Sequence, residues 1–277
     1  MKNKYSKNRI HASLVALTLT AGTVLAGEVT PAPMAPAPAA CDDVISGSFS
    51  SAFNSHFVSY GNDVWRDGSS LSDPTYNPSL SFDFKINDNW SFNTGVWADI
   101  NDKISPSALG GQFQEIDLWF GVGYAIDKFS IATTYQSWNY ASQTEHILDV
   151  KLAYDTFLSP SLTFHNRLDI NDALGAKGTI AVLGFSHSIE AGPVTISFPL
   201  NFAYMMGENY YGGGADNGLA YSSLGVTASY PLTFLGSCYG EWSLDTGLTQ
   251  YWTNNDVTLN NPKNEFLTWS AGLSASF

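Results

Sequence analysis

The chain has 277 residues and a formal net charge of −13, yet charged residues make up only 13% of it and aromatic residues 14%. A soluble domain of this length carries about twice that charged fraction. The acidic balance argues against a nucleic-acid-binding protein, because neutralising phosphates requires clustered Lys and Arg. Beyond the N-terminus, no apolar stretch reaches the roughly 18 residues that a membrane-spanning helix needs.

The N-terminal segment predicts export from the cytoplasm. A basic stretch is followed by an apolar run from Ala12 to Leu25, and the small residue Ala26 closes the run. This order is typical of a secretory signal peptide, which we place at residues 1–26. An uncleaved membrane anchor is disfavoured because the run is short and contains several threonines. The basic residues are Lys2, Lys4, Lys7 and Arg9.

A Pro/Ala-rich stretch follows, and its composition is that of an extended spacer rather than a packed element. We assign residues 27–43 to a periplasmic spacer and residues 44–277 to the folded domain. Cys41 lies in the spacer. A lipidated cysteine would directly follow the apolar run, so lipidation of Cys41 is not expected.

From Ile45 onward the chain alternates apolar and polar residues with a period of two, which is the pattern of β-strands. The segment from Tyr76 to Ile86 shows it most clearly, since its apolar residues alternate with Asn, Ser, Asp and Lys. Gly, Asn, Asp and Pro punctuate the segments. We predict an all-β fold of twelve strands near residues 47–59, 76–86, 90–100, 115–126, 129–137, 145–155, 161–170, 179–189, 194–204, 219–230, 238–250 and 265–277.

The connections favour a transmembrane antiparallel up-and-down β-barrel over a secreted β-sandwich, which also alternates. Short links broadly alternate with longer polar links, as periplasmic turns alternate with extracellular loops in outer-membrane barrels. The strands have the length that crosses a bilayer at a tilt. Aromatic residues gather at strand ends, as an interfacial girdle would; these are Tyr60, Tyr76, Trp90, Trp138, Tyr204, Tyr230 and Trp252.

The polar face of such a barrel would line its lumen, and this face is acidic. Like-signed charges in a narrow pore concentrate the opposite ion, so the pattern predicts a diffusion channel for small hydrophilic solutes with a weak cation preference. The alternative is a sealed lumen, in which the carboxylates pair with the basic residues and tyrosine hydroxyls. The predicted lumen residues are Asp83, Lys85, Trp97, Asp99, Glu115, Asp117, Trp119, Asp149, Lys151, Arg167, Asp169, Glu241 and Asp245; Tyr239 and Tyr251 share this parity.

The two cysteines are expected to form a disulfide. Cys41 precedes the first strand and Cys238 begins the eleventh predicted segment. Barrel closure would bring both to the periplasmic rim, in an oxidising compartment. Two unpaired thiols are the alternative.

No catalytic, metal or cofactor site is predicted. The strongest enzyme candidate is Ser186-His187-Ser188, but adjacent strand residues point to opposite faces, so His187 cannot readily serve either serine. Neither the carboxylates nor the cysteines have a metal-site spacing. The expected partners are outer-membrane lipid, the barrel-assembly machinery and small solutes or cations; the pattern is compatible with a homo-oligomer but reveals no interface.

Two further features concern the loops and the C-terminus. Polar loops with aromatic residues, such as that containing Tyr210, leave open an adhesive barrel that acts through its extracellular loops. The last strand ends on an aromatic residue after regular alternation. It resembles the signal read by the outer-membrane insertion machinery, carried here by Trp269, Leu273 and Phe277.

Five stretches together span most of the chain beyond the spacer: SGSFSSAFNSHFVSYGNDVW, GVWADIND, EIDLWFGVGY, LAYDTFLSPSLTF and GTIAVLGFSHSI. They resemble strands of the TorF-like porins, a group of bacterial outer-membrane barrels. The resemblance implies a porin-like barrel without a known substrate. Asp67 separates Arg66 from Gly68, where the family tends to have an aromatic-Arg-Gly element, so the first loop is expected to differ.

Overall fold

A computed structural model describes residues 44–66, 71, 73–103, 108–141, 143–169, 177–207, 210, 216–258 and 261–277. The predicted signal peptide, the spacer and Cys41 lie outside the described residues. Within these ranges, no helix is long and apolar enough to cross a membrane.

Twelve antiparallel strands close into one barrel, which confirms the predicted fold class. The barrel strands are β1 (Ile45–Asn54), β4 (Thr75–Lys85), β5 (Trp90–Ile100), β6 (Phe113–Ile126), β7 (Phe129–Asn139), β8 (Thr144–Tyr154), β9 (Ser161–Arg167), β10 (Gly178–Ala191), β11 (Val194–Met205), β12 (Gly218–Pro231), β13 (Glu241–Thr253) and β14 (Glu265–Ser276); two further strands are β2 (Val58–Ser59) and β3 (Asn62–Asp63). Each barrel strand pairs with the barrel strands before and after it, and β1 pairs with β14 to close the ring. The short strands β2 and β3 form a separate hairpin.

The two ends of the barrel differ in their connections. One end, here the turn end, carries residues 86–89, 127–128, 155–160, 192–193 and 232–240. Asp127 and Gly192 there have left-handed backbone, with φ of 50° and 66°, as tight reversals between antiparallel strands require. The other end, the loop end, carries the remaining links, whose described residues are 55–66, 71, 73–74, 101–103, 108–112, 140–141, 143, 168–169, 177, 206–207, 210, 216–217, 254–258 and 261–264.

The outer face of the barrel is apolar and exposed. On β6, for example, Leu118, Phe120 and Val122 are each more than 40% exposed, whereas their neighbours Asp117, Trp119 and Gly121 are buried. A continuous exposed surface of this kind fits an apolar surrounding rather than water. The closed ladder also pairs the backbone of every barrel strand on both sides, which hydrocarbon demands.

Two of the predicted girdle aromatics lie elsewhere. Trp90, Tyr204, Tyr230 and Trp252 are well exposed near strand ends, as expected. Trp138 is only 2% exposed, because its position in β7 pairs with the lumen-facing Asp117 and Glu145. Tyr60 is also buried, because the first strand ends at Asn54 rather than at the predicted residue 59, and the chain then turns into the lumen.

The β1–β14 seam is reinforced by Phe277. Its backbone exchanges two hydrogen bonds with Gly47, and a Cβ atom added at Gly47 would lie 2.3 Å from the Phe277 ring. The ring also meets Phe82 edge-on, with centroids 6.3 Å apart. The aromatic side chain therefore covers the place where the first and last strands meet. Its predicted role as an assembly signal stays a prediction.

Replacing Phe277 with Asp is expected to reduce the yield of folded barrel several-fold, because a carboxylate would replace the ring at an apolar seam. The fraction that migrates as the compact species on unheated SDS gels measures this. Phe234→Asp is the matched control, since Phe234 is 78% exposed in the 3₁₀ turn Thr233–Leu235 at the turn end. Equal yields from both variants would contradict the expectation.

Cys238 is exposed at the turn end in the 3₁₀ turn Ser237–Tyr239, and it is free within the described residues. It lies near the seam, because Gly240 is in close contact with Ser276 and Phe277. The disulfide with Cys41 stays a prediction, since its other half falls outside the described residues.

Candidate functional site: the barrel lumen

The hairpin β2–β3 lies inside the barrel at the loop end. After β1 the chain does not continue outward; Ser55, His56, Phe57 and Val58 are all less than 5% exposed. Tyr60 has a left-handed backbone, with φ of 47°, and Gly61 follows at 85°, which reverses the chain within the lumen. We call residues 55–65 the lumen hairpin.

The lumen hairpin contacts the barrel on several sides. Phe57 packs against Trp97 on β5, with ring centroids 5.3 Å apart. Tyr60 packs on His165 of β9 at 3.9 Å. The backbone N–H of Asp63 donates to Asn261 Oδ1 at 2.8 Å, which ties the hairpin to the β13–β14 loop. The hairpin therefore spans the lumen rather than lying along one strand.

The lumen faces of β5, β6, β8 and β9 carry a buried polar network, which we call the ionic wall. Its members are Asp99, Glu115, Asp117, Glu145, Asp149, His165 and Arg167, all less than 10% exposed. Adjacent strands place them side by side: Asp99 pairs with Glu115, and Asp149 with His165. Barrel closure thus gathers carboxylates that are far apart in sequence.

Asp99 joins the ionic wall to the lumen hairpin. Its Oδ2 accepts hydrogen bonds from Trp65 Nε1 at 2.9 Å and from Asn101 Nδ2 at 3.1 Å. Its Oδ1 accepts from the Thr75 hydroxyl and from Asn77 Nδ2. Four donors satisfy this carboxylate inside the protein, as a buried charge requires.

Tyr140 and Gln136 extend the network. The Tyr140 hydroxyl, in the β7–β8 link, donates to Glu115 Oε1 at 3.0 Å. Burial, with the nearby carboxylates, holds the pKa of Tyr140 well above its ordinary value, so the phenol keeps its proton. Asp149 accepts from Gln136 Nε2 at 2.6 Å and forms a 2.7 Å contact with His165 Nδ1.

Arg167 supplies the cation of the ionic wall. Its Nε lies 2.5 Å from Glu145 Oε2, and both side chains are almost fully buried. Its Nη1 donates to the backbone oxygen of Tyr210, and the guanidinium carbon lies 3.9 Å from the centre of the Tyr210 ring. Tyr210 is therefore 1% exposed and is not available at the surface for an adhesive role.

The opposite side of the lumen is lined by small residues. A cavity that opens to solvent runs along β1 and β12–β14 and is bordered by His56, Val58 and Trp97. We call its lining on these strands the small-residue wall. Its members are Ser50, Ala52, Gly225, Thr227, Gly247, Thr249, Ser270, Gly272 and Ser274, with Asp245 among them.

The structure distributes the predicted lumen residues among different surroundings. Asp99, Glu115, Asp117, Asp149 and Arg167 lie in the ionic wall, and Trp97 and Trp119 pack beside it. Asp83 and Lys151 lie on the lumen faces of β4 and β8, and Glu241 begins β13 on the same parity as Asp245. Lys85 lies at the turn end, 3.1 Å from the exposed Asp88.

Two residues depart from the predicted parity. β9 ends at Arg167, so the alternation does not extend to Asp169. Its carboxylate lies 3.5 Å from Nε2 of His146, which belongs to the outer face of β8, and both side chains are partly exposed. Tyr239 lies in a turn before β13 and is 74% exposed.

Sequence reasoning missed Glu145, His165 and the inward position of Trp138. Glu145 has the parity of Asp149 on β8 and His165 has that of Arg167 on β9, so the signal was present for these two; Trp138 faces inward with Gln136 on β7. The apolar residues Ile147, Ile180 and Met205 occupy lumen positions near the loop end and are fully buried. Apolar residues on a polar face indicate that another segment packs against them. Here the packing partners are Val58 and Tyr60 of the lumen hairpin, with Tyr210 and Val257 from two links at the loop end.

The enzyme candidate shows the geometry expected of strand residues. Ser186 and Ser188 share the lumen parity of β10, and Ser188 bonds to Ser197 at 2.8 Å. His187 lies on the outer face, where its Nδ1 donates to the Phe157 carbonyl at 3.0 Å. Among the described residues, no group of three or more His, Cys, Asp or Glu could hold a metal ion.

Comparison with known proteins shows the fold. No protein-family model matches the chain, and no curated protein matches it. The chain is similar to the COG4313 outer membrane channel from Pseudomonas putida F1, with a TM-score of 0.54 and 15% identity over 88% of this chain and 100% of that one. It also aligns with the NanC porin (TM-score 0.47, 11% identity, 83% of this chain and 98% of that chain) and the KdgM porin (0.46, 11%, 83% and 99%).

Proposed function

We propose that this chain is a porin-like channel of a Gram-negative-type outer membrane, through which small hydrophilic solutes diffuse with a weak preference for cations. It would be exported by the signal peptide at residues 1–26, and residues 27–43 would be a periplasmic spacer. The TorF-like resemblance fits this proposal but rests on the quoted strands alone.

The cavity along the small-residue wall carries the proposal. Its lining of Ser, Thr and Gly offers hydrogen-bonding groups to a hydrated solute. These short side chains leave open space in the lumen, whereas the larger side chains of the ionic wall fill the space on their side. The apolar outer face and the closed ladder support a membrane location. The structurally similar protein with the TM-score of 0.54 is described as an outer membrane channel.

Planar-bilayer recording tests the proposal, with conductance steps as the expected result. Ser50→Trp should lower the step size, because Ser50 lines the cavity and an indole would fill it. Ser51→Trp is the matched control, since its position is adjacent on β1 but points to the outer face. A conducting wild type whose step size is equally unchanged in both variants would place the passage elsewhere.

A sealed structural or adhesive barrel is the second candidate. The buried lumen hairpin favours it, because the hairpin spans the loop end of the lumen and packs against several strands. In that case the folded wild-type protein would give no conductance steps in the same recordings, whatever residue stands at position 50.

A further inference from the structure

The lumen carboxylates differ in what surrounds them. Those of the ionic wall are buried, and two of them, Asp99 and Asp149, accept hydrogen bonds from protein donors. A solute in the cavity cannot contact a carboxylate whose side chain is enclosed by the hairpin and neighbouring strands. The total number of carboxylates in the lumen therefore overstates the negative charge that a passing solute contacts.

Asp245 is placed differently. It lies on β13 within the small-residue wall, is only partly buried, and lines the cavity. Of the described residues that line this cavity, it is the only Asp, Glu, Lys or Arg; the other titratable groups there are His56 and Tyr251 at the loop end. Its charge thus faces the cavity without an opposite formal charge in that lining.

The contacts of Asp245 orient its carboxylate without neutralising it. Ser274 Oγ donates to Oδ2 at 2.6 Å, and Ser243 Oγ lies 3.1 and 3.2 Å from the two oxygens. Its two neighbours across the ladder are small: Gly272 on β14, which has no side chain, and Ser229 on β12. These hydroxyl partners carry no formal charge of their own.

We propose that Asp245 is the residue that sets the charge selectivity of the passage and that the favoured solutes are small singly charged cations, including protonated amines. This inference rests on the proposed channel function. A carboxylate beside hydroxyl oxygens attracts a monocation and repels an anion, and the effect is largest where the path is narrow. The ionic wall contributes to packing and not to selectivity.

Reversal potentials in a potassium chloride gradient test this inference. Asp245→Asn is expected to lower the potassium-to-chloride permeability ratio by about fivefold or more, because one unit charge at about 4 Å in a high dielectric changes the occupancy of a monovalent ion by a factor of about five. Asp117→Asn is the matched control, because Asp117 is fully buried in the ionic wall, and its ratio should stay at the wild-type value. Asp245→Glu should retain the preference.

A second variant tests the same inference if Asp245→Asn fails to fold. Thr249→Lys adds a positive charge to the same cavity lining and leaves Asp245 in place, so it should lower the ratio in the same direction. An unchanged ratio in folded, conducting Asp245→Asn or Thr249→Lys, or a loss of preference in Asp117→Asn, would overturn the inference. Absence of conductance in the wild type would instead overturn the proposed function.

Discussion

Replacing residues 57–64 with a short Gly/Ser linker is expected to raise single-channel conductance several-fold. These residues form most of the lumen hairpin, whose Phe57 and Tyr60 are less than 5% exposed inside the barrel. Removing them would widen the loop end of the lumen, while the twelve-strand ladder, to which the hairpin contributes no strand, would remain closed. Planar-bilayer recording of the refolded variant measures the change.

The matched control replaces the 3₁₀ turn Thr233–Leu235 with Gly and Ser. This segment lies outside the lumen at the turn end, and its residues are exposed, so conductance should stay at the wild-type value. If the hairpin variant forms a heat-modifiable barrel with unchanged conductance, the hairpin does not limit the passage. A variant that conducts where the wild type does not would identify the hairpin as the element that seals the lumen.

Replacing Arg167 with Met is expected to lower the free energy of unfolding by about 3–5 kcal/mol, because it leaves the buried Glu145 carboxylate without its cation. The substitution also removes the contacts of Arg167 with Tyr210. Urea titration of the protein in lipid vesicles, followed by tryptophan fluorescence, measures the loss.

Two comparisons isolate the cause. The double variant Arg167→Met, Glu145→Gln should recover part of the stability, since it no longer buries an unpaired charge. Lys85→Met removes the exposed Lys85–Asp88 pair and should cost less than about 1 kcal/mol. Equal losses for Arg167→Met and Lys85→Met would show that burial of the Glu145–Arg167 pair is unimportant.

The alternation of residues sufficed to predict the twelve strands and their two faces. A period of two directly reports which side of a sheet faces an apolar surrounding, so the outward Leu118 and Phe120 and the inward Asp117 were assigned from pattern alone. The same reasoning predicted that β1 and β14 are neighbours, because a closed ladder leaves no other partner for them.

The interior of the lumen was less predictable. Whether a loop folds outward or inward depends on contacts between residues distant in sequence, such as Asp63 with Asn261 and Tyr60 with His165. Strand parity carries no information about such contacts. It also cannot distinguish Asp245, which lines a cavity, from Asp99, which is enclosed, since both have the same alternation.

The two walls of the lumen have separate roles: one stabilises the barrel and the other borders the path of the solute. A solute would pass off-centre, beside the small-residue wall. The buried Glu145–Arg167 pair and the packed aromatic side chains on the other side would stabilise the barrel. Substitutions in the small-residue wall would then change solute selectivity without lowering the stability of the barrel. The barrel is in this sense divided lengthwise into a supporting half and an adaptable half.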